Sequence, residues 1–345
     1  MKNNNEKIIM GFWEKLPNPF LVLAPMADVT DSAFRKIIAK YSRHGETNGG
    51  PHVFYTEFVS ADGLDHEQGR EKLIKDLRFS SHEHPIVAQI FSSNPDTVEK
   101  AARLCLSLGF DGVDINMGCP EKNICKQGAG SALIKNPKQA QEVIYAAKRG
   151  VDGKIPISVK TRVGWTENQI EEWIPALLEC DIAAIILHGR TRKVMSKVPA
   201  NWDWIARAGE IVRASGKTTK ILGNGDVVSL DQAYRFAENY KLDGIMIGRG
   251  IFGNPWFFDH DKNTVSVKDK LEVLLEHTKL FLEELGDHKN FAIMKKHYKA
   301  YVSGFTDSKE LRIALMDAHT LKEIEDICAA FQKEHPDILD EQIPC

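Results

Sequence analysis

Short runs of apolar, often β-branched residues recur along the first 250 residues, and most are followed by a segment with helical periodicity. Eight such runs predict strands at residues 20–24, 53–57, 86–91, 112–116, 157–160, 183–188, 220–224 and 244–248. Strands that alternate with helices pair in parallel, because the helix returns the chain to the same edge of the sheet. Eight units in about 230 residues fit a closed (β/α)8 TIM barrel, and a doubly wound open sheet is the rival architecture.

The positions of the polar residues favour the barrel. Each predicted strand has glycine, proline or a polar side chain at or near its carboxyl end, such as Gln89, Lys160 or His188. A barrel places its active site at the carboxyl ends of many strands, whereas an open sheet concentrates such residues at one switch point. We therefore expect an α/β fold with a TIM barrel.

Helix signals separate the strands and then replace them. Asn94-Pro95, Asn136-Pro137 and Ser229 are N-terminal signals of three helices within the barrel. After about residue 262 no strand-like run remains, and residues 267–285, 291–301, 308–317 and 320–335 have helical periodicity. The predicted organisation is an N-terminal extension (1–18), a catalytic barrel (19–262) and a C-terminal all-helical domain (263–345).

Composition is that of an ordinary globular protein of 345 residues, with 43% hydrophobic and 27% charged residues. No apolar stretch approaches the roughly 20 residues that cross a bilayer, and the N-terminus lacks a secretory apolar core. The six cysteines show no C-x-x-C spacing, so neither a metal site nor a disulfide framework is expected. These features predict a cytoplasmic protein without a metal or a membrane partner. The net charge of −3 excludes a wholesale nucleic-acid binder but not a local basic face.

The stretch Asp114-Ile115-Asn116-Met117-Gly118-Cys119-Pro120 is the clearest candidate for chemistry. It begins as a buried strand and ends in a glycine and a Cys-Pro pair, followed by a polar segment that contains glycine. A cysteine is more often a small core residue than a reagent. Its surroundings instead place Cys119 at the mouth of a pocket, with the amide of Asn116 able to bond a planar ring.

Four polar side chains would converge over the barrel axis: Gln89, Asn116, Lys160 and His188. Their hydrogen-bonding groups and one cation suit a flat heteroaromatic ligand, and a lysine there could stabilise negative charge on a reduced flavin. The alternative for Lys160 is a salt bridge with Glu57 or Asp114.

Glycine-rich loops after strands 7 and 8 predict a phosphate-bearing ligand. They are Gly223-Asn224-Gly225-Asp226 and Gly248-Arg249-Gly250. Asn254-Pro255 resembles the cap and first residue of a helix whose N-terminus would face the phosphate.

Taken together, these motifs resemble the tRNA-dihydrouridine synthase family over residues 19–258. The residues that carry the resemblance are Ala24-Pro25-Met26-Ala27, Thr30-Asp31, Thr56-Glu57-Phe58, Asp114-x-Asn116-x-Gly118-Cys119-Pro120, Lys160-x-Arg162, His188-Gly189-Arg190-Thr191-Arg192 and Asn224-Gly225-Asp226. Residues 193–199 depart from the family, because they lack the Tyr-x-Gly found in many of its members.

The resemblance implies an FMN-bound barrel that NADPH reduces, with tRNA as the substrate and a helical domain that helps to hold it. By this likeness hydride passes from the reduced flavin to C6 of a uracil, and Cys119 protonates C5. The implied FMN-binding residues are Pro25, Met26, Ala27, Gln89, Lys160, His188, Asn224, Gly225, Asp226, Gly248 and Arg249. Asn116, Lys160 and Arg162 would line the uracil pocket, and Arg190 and Arg192 would contact the substrate.

A basic face would hold the RNA on this mildly acidic chain. Its residues are Lys122, Lys126, Arg162, Arg190, Arg192, Lys193 and Lys197 on the barrel and Lys295, Lys296 and Lys299 on the helical domain. No obligate protein partner is expected.

Three alternatives remain open. One is an FMN barrel that acts on a free pyrimidine, similar to dihydroorotate or dihydropyrimidine dehydrogenases. The others are a non-catalytic tRNA-binding protein and an aldolase with Lys160 as the Schiff base.

Overall fold

The computed structural model describes residues 8–345, so the first seven residues of the predicted 1–18 extension lie outside the described part. The chain forms two compact units. The first comprises the described residues up to Ala27, with His52–Arg78 and His84–Gly248. The second comprises Asp28–Pro51, Phe79–Glu83 and Arg249–Cys345.

The first unit is built on a parallel sheet whose described strands follow the order β1-β8-β7-β6-β5-β4-β3-β2. Their bounds are β1 Phe20–Leu23, β2 Phe54–Ser60, β3 Ile86–Phe91, β4 Gly112–Met117, β5 Ile157–Arg162, β6 Ala184–His188, β7 Lys220–Asn224 and β8 Gly244–Ile247. A parallel bridge between Val22 and Val53 joins the two ends of the sheet. The predicted (β/α)8 barrel is therefore confirmed, and the predicted strands differ from the observed ones by at most three residues at an end.

The α-helices of residues 8–345 span both units. They are α1 Ser32–Tyr41, α2 Ala61–Asp65, α3 Glu67–Leu73, α4 Pro95–Ser107, α5 Lys122–Lys126, α6 Pro137–Val151, α7 Ile170–Leu178, α8 Trp202–Ala214, α9 Leu230–Asn239, α10 Val267–Leu285, α11 Met294–Tyr301, α12 Ser308–Asp317 and α13 Leu321–Glu334. The three predicted start signals are confirmed as caps. The Asn94 side chain accepts from the N–H of Asp96, that of Asn136 from Gln139, and that of Ser229 from Gln232.

The interior of the barrel changes from apolar to polar along β3, β6 and β7. Val22, Val87, Ile186, Leu222 and Met246 belong to one buried cluster, together with Met10 and Trp13 from the N-terminal segment. Side chains two residues apart share a face of a strand. The residues that follow on the same face are Gln89, His188 and Asn224, so the polar groups lie at the carboxyl ends of the strands, above the apolar core.

The second unit has its own hydrophobic core. Buried side chains of α1 and of α10 to α13 form one cluster that includes Ala33, Ile37, Leu274, Tyr298 and Phe331. Helix α1 follows the first barrel strand along the chain, yet its apolar face packs in this cluster. The predicted helical character of the C-terminal region is confirmed.

A buried ion pair and a short ribbon complete this unit. The guanidinium of Arg35 donates to the carboxylate of Glu83 at 2.5 Å, and neither side chain is exposed. Two three-residue strands, β9 Thr264–Ser266 and β10 Gln342–Pro344, pair antiparallel. The sequence did not predict this ribbon, because three residues are too few to show an alternating pattern.

The helix predicted to begin at Asn254-Pro255 is absent from the described structure, and that prediction was wrong. Residues 252–258 instead form successive turns, in which the N–H of Asn254 donates to the carbonyl of Ile251 and the N–H of Phe257 to that of Asn254. Gly253, the residue before the predicted cap, adopts a positive φ of 71° in this segment. The segment buries Trp256 and Phe258 as a compact turn.

Within residues 8–345 no helix combines the length and the apolar character that crossing a membrane requires. No cluster of three or more metal-ligating side chains occurs in the same residues.

Candidate active site

Cys119 lies in the loop that follows β4, with its side chain partly exposed. Its backbone N–H donates to Oδ1 of Asn116 at 2.9 Å, and its carbonyl accepts from the N–H of Ser131. Burial raises the pKa of the Cys119 thiol, while the N–H of Glu121 and the charge of Arg162 oppose the rise. The thiol is therefore protonated at neutral pH and available as a proton donor.

Gly130 allows the chain to return closely over this loop. It adopts a φ of 59°, and an added Cβ would lie 2.9 Å from the carbonyl oxygen of Cys119. A side chain at this position would push the loop away. The close approach of the chain to Cys119 thus explains why residue 130 is a glycine.

Lys160 and Arg162 stand on β5, with Lys160 in register with Asn116. The Nζ of Lys160 forms no hydrogen bond or ion pair with any described residue, so the salt bridge with Glu57 or Asp114 is not formed. Burial, with a contribution from Arg162, lowers the pKa of Lys160 to about 8. Arg162 donates from Nε to the carbonyl of Gly118 at 2.7 Å, and burial lowers its pKa to about 10. Two cationic groups thus flank the thiol, one of them without a protein partner.

A buried polar network lies beneath these groups. The carboxylate of Asp114 accepts from Oγ of Ser158 at 2.6 Å and from Nε2 of Gln89 at 2.7 Å. Nδ2 of Asn116 donates to Oε1 of Gln89 at 3.1 Å. Asp114 is fully buried, and burial raises its pKa to about 6. The predicted pair Gln89 and Asn116 is thus joined directly, amide to amide, and Gln89 is held in turn by the carboxylate of Asp114, to which the sequence assigned no role in the site.

The loops after β6 and β7 meet around Arg190, which is 3% exposed. Its guanidinium donates to the carboxylate of Asp226 at 2.5 Å, to the carbonyl of Val198 at 2.6 Å and to Nε2 of His188 at 3.1 Å. Because a guanidinium can only donate, Nε2 of His188 accepts and Nδ1 carries the proton of the neutral ring. Arg190 therefore orients His188. The contact of Arg190 with the substrate stays a prediction.

The remaining predicted cofactor residues of the first unit line the same edge. An added Cβ on Gly248 would lie 3.5 Å from the sulfur of Met26 and 3.6 Å from the Cβ of Ala24, so Gly248 lies close beside the carboxyl end of β1. Nδ2 of Asn224 donates to the carbonyl of Met246, while Gly225 has a φ of 131° and meets His188. Arg249 begins the second unit, in the short turn Arg249–Ile251.

Trp165, in the loop after β5, contacts two cations from neighbouring loops. The Nζ of Lys135 lies 4.5 Å and the Cζ of Arg192 4.6 Å from the centroid of its ring. Neither cation forms a salt bridge with a described residue. This group, which we call the Trp165 clamp (Lys135, Trp165 and Arg192), presents positive charge that no carboxylate neutralises.

The sequence profile of the dihydrouridine synthase family matches residues 22–335. This chain belongs to the dihydrouridine synthase family. It is 37% identical over 326 residues to the probable tRNA-dihydrouridine synthase of Staphylococcus aureus (strain Mu50 / ATCC 700699), covering 94% of this chain and 96% of that protein. It is 38% identical over 329 residues to the probable tRNA-dihydrouridine synthase 2 of Bacillus subtilis (strain 168), covering 95% and 98%. The resemblance inferred from the motifs is confirmed.

Solved structures share the architecture of this chain at low identity. Histamine dehydrogenase from Rhizobium sp. 4-9 has a TM-score of 0.51 and 12% identity, over 76% of this chain and 49% of that chain. The 6-hydroxypseudooxynicotine amine oxidase of Pseudomonas geniculata N1 has a TM-score of 0.51 and 11% identity, over 82% and 55%. This chain thus spans about half the length of those structures, and the likeness concerns the fold.

Sequence reasoning missed several residues of this region. Asp114 was noted within the motif, but its place at the centre of a network with Ser158 was not foreseen. A charged residue inside a buried strand, two positions before Asn116, was the available signal, because both side chains share a face. Lys135 and Trp165 carried no comparable signal, since their contact joins different loops.

Proposed function

We propose that this protein reduces uridines of tRNA to 5,6-dihydrouridine, with FMN bound at the carboxyl ends of the barrel strands and NADPH as the electron donor. The proposal rests on two groups that lie at the same edge of the barrel. One is the protonated thiol of Cys119, and the other is the ammonium of Lys160, which has no partner among the described residues. Both occur in a chain 37% identical to a probable tRNA-dihydrouridine synthase. We further propose a cytoplasmic location, where tRNA is available.

The donor set suits a flavin. The Lys160 ammonium and the Gln89 amide would be donors for the carbonyl oxygens of an isoalloxazine ring. Placing Lys160 there without a protein partner costs folding free energy, which an anionic or carbonyl-rich ligand would offset. The proposed cofactor residues are those inferred from the resemblance. When bound, FMN supplies the hydride that is added to C6 of the pyrimidine.

The chain's own residues then handle charge and protons. Addition of hydride at C6 leaves negative charge on the pyrimidine, and we assign its stabilisation to Lys160 and Arg162. Arg162 is held for this role by its bond to the carbonyl of Gly118. The Cys119 thiol donates a proton to C5, and Asn116 anchors the loop that carries the thiol, because its side-chain oxygen accepts from the backbone N–H of Cys119.

A basic surface at the loops of the barrel would hold the RNA. Lys122, Lys126, Lys193 and Lys197 are exposed and form no salt bridge with a described residue, and the Trp165 clamp adds two cations and an aromatic face. RNA is bound by phosphate contacts together with stacking of unpaired bases on aromatic side chains. Within the second unit, Lys295, Lys296 and Lys299 of α11 are the proposed additional contacts.

The test is a reaction of the purified protein with FMN, NADPH and an unmodified tRNA transcript. Mass spectrometry of nuclease fragments should show a gain of two hydrogens on defined uridines. The same mixture with free uracil or uridine is the matched control. Turnover of the free pyrimidine without any change in the tRNA would contradict the proposal and favour the free-pyrimidine alternative.

A further inference from the structure

A chain of hydrogen bonds leads from the backbone of Cys119 through Asn116 and Gln89 to Asp114. Each donor in this chain lies on the Cys119 side of its acceptor. The N–H groups of Gly118 and Cys119 donate to Oδ1 of Asn116 at 3.1 and 2.9 Å. Nδ2 of Asn116 donates to Oε1 of Gln89, and Nε2 of Gln89 donates to Asp114. Each amide thus receives on its oxygen and gives from its nitrogen, so the chain ends at the carboxylate.

A second chain of hydrogen bonds ends at the other oxygen of the same carboxylate. Ser158 has one hydroxyl proton, which it donates to Oδ1 of Asp114 at 2.6 Å. In the contact of 3.3 Å between the hydroxyls of Tyr55 and Ser158, Tyr55 is therefore the donor. Asp114 is the common acceptor of both chains, and an ionised carboxylate is a side chain that accepts without donating.

We propose that Asp114 is a positioning residue for the proton donor: its carboxylate fixes the orientation of the Gln89 and Asn116 amides, and through them the backbone and thiol of Cys119. The inference rests on the proposed role of Cys119 as the donor of the proton to C5. If either amide turned over, an NH2 group would face the N–H groups of Gly118 and Cys119, and the loop would lose its two bonds to Asn116.

The charge of Asp114 makes this arrangement sensitive to pH. The titratable groups facing it in the described structure are Lys160 on β5 and Tyr55 on β2. Burial raises the pKa of Asp114 to about 6, against the bonds from Ser158 and Gln89 and the charge of Lys160. Below that pH the carboxyl group carries a proton, which the NH2 group of Gln89 cannot accept but the hydroxyl of Ser158 can, so either the bond from Gln89 is lost or the bond to Ser158 reverses.

The first test compares Asp114→Asn with Tyr55→Phe, which removes a hydroxyl at the far end of the second chain. With FMN, NADPH and tRNA transcript, the Asp114→Asn protein should show a kcat at least tenfold lower and a KM for tRNA within about twofold, the size expected for a lost bond to a charged group. The acidic limb of the kcat profile near pH 6 should disappear in this variant and persist in Tyr55→Phe. An Asp114→Asn protein with unchanged kcat, or with the acidic limb retained, would overturn the inference.

A second test uses the apoprotein and needs no turnover. The rate at which iodoacetamide alkylates Cys119, measured by peptide mass spectrometry, should rise severalfold in Asp114→Asn because the freed loop exposes the thiol. The buried thiols of Cys105 and Cys180 report unfolding and should stay unlabelled. Equal alkylation rates of Cys119 in the wild-type protein and the variant would refute the positioning role, even if no tRNA is reduced and the proposed function itself fails.

A further variant covers the case in which Asp114→Asn does not fold. Ser158→Ala removes one bond to the ionised carboxylate and leaves the bond from Gln89 intact. Loss of a donor to the charged form raises the pKa of a carboxyl group, so the acidic limb of kcat should move to higher pH. An acidic limb at the wild-type position in Ser158→Ala would also overturn the inference.

Discussion

Replacing Lys160 by methionine should stabilise the apoprotein while it weakens the binding of flavin. The ammonium of Lys160 is largely buried and lacks a partner among the described residues, so the folded protein carries its charge at a cost. Methionine keeps the length of the unbranched stem and removes the charge. The structure therefore predicts that a substitution that impairs function raises the free energy of unfolding.

The size of the effect follows from the pKa of Lys160. It falls from 10.5 to about 8, which at about 1.4 kcal/mol per pH unit corresponds to about 3 kcal/mol at neutral pH. Water at the mouth of the site reduces this figure, so we expect Lys160→Met to be more stable by about 1–3 kcal/mol at pH 7. Between pH 8 and 10.5 the folded wild-type protein loses this proton before the unfolded chain does, so wild-type stability rises and the difference vanishes.

Urea denaturation of the two apoproteins at pH 7 and at pH 10 measures both quantities. Lys138→Met, at an exposed lysine near the start of α6, is the matched control and should change stability by less than about 0.5 kcal/mol at either pH. A Lys160→Met protein that is less stable than wild type at pH 7, or a difference that does not shrink at pH 10, would refute the reasoning.

Three other outcomes are expected. Cys119→Ala should lower the formation of dihydrouridine in tRNA by about 10²–10⁴-fold, as measured by mass spectrometry, whereas Cys345→Ala should not; a loss below tenfold would exclude the thiol as the proton donor. Lys135→Ala should make the slope of log affinity for tRNA against log salt concentration shallower by about 0.7–0.9, as measured by filter binding in a salt series; an unchanged slope would remove this residue from the RNA surface. Glu83→Gln should destabilise the protein by about 3–5 kcal/mol, because the buried Arg35 loses its charged partner; a thermal unfolding midpoint within 2 °C of wild type would contradict this.

Agreement between sequence and structure is closest where a local pattern decides the conformation. The apolar runs of β3 and β7 are bounded by polar residues and glycine, and their predicted and observed ends coincide. Helix α10 likewise begins and ends where its periodicity begins and ends. Asn254 shows the limit of such signals, because this cap residue followed by proline leads into successive turns in which Trp256 is buried.

The candidate site was predicted as a set of residues but not as a set of contacts. Lys160 was placed correctly on its strand, yet the absence of a salt bridge depends on where Asp114 directs its two oxygens. Arg190 was predicted at the substrate, and the structure adds that its guanidinium donates to protein acceptors in the loops after β6 and β7. In each case the deciding partner lies many residues away along the chain.

The sequence by itself determined the barrel, the helical region, the carboxyl-end location of the site and the family, because hydrophobic periodicity and short motifs are local properties of the chain. Tertiary structure alone decided that α1 packs with the C-terminal helices, that Trp165 meets two cations and that two hydrogen-bond chains end at Asp114. Those outcomes depend on which side chains the fold brings together from distant parts of the chain. A buried polar group must be paired wherever the fold places it, and no local pattern specifies its partner.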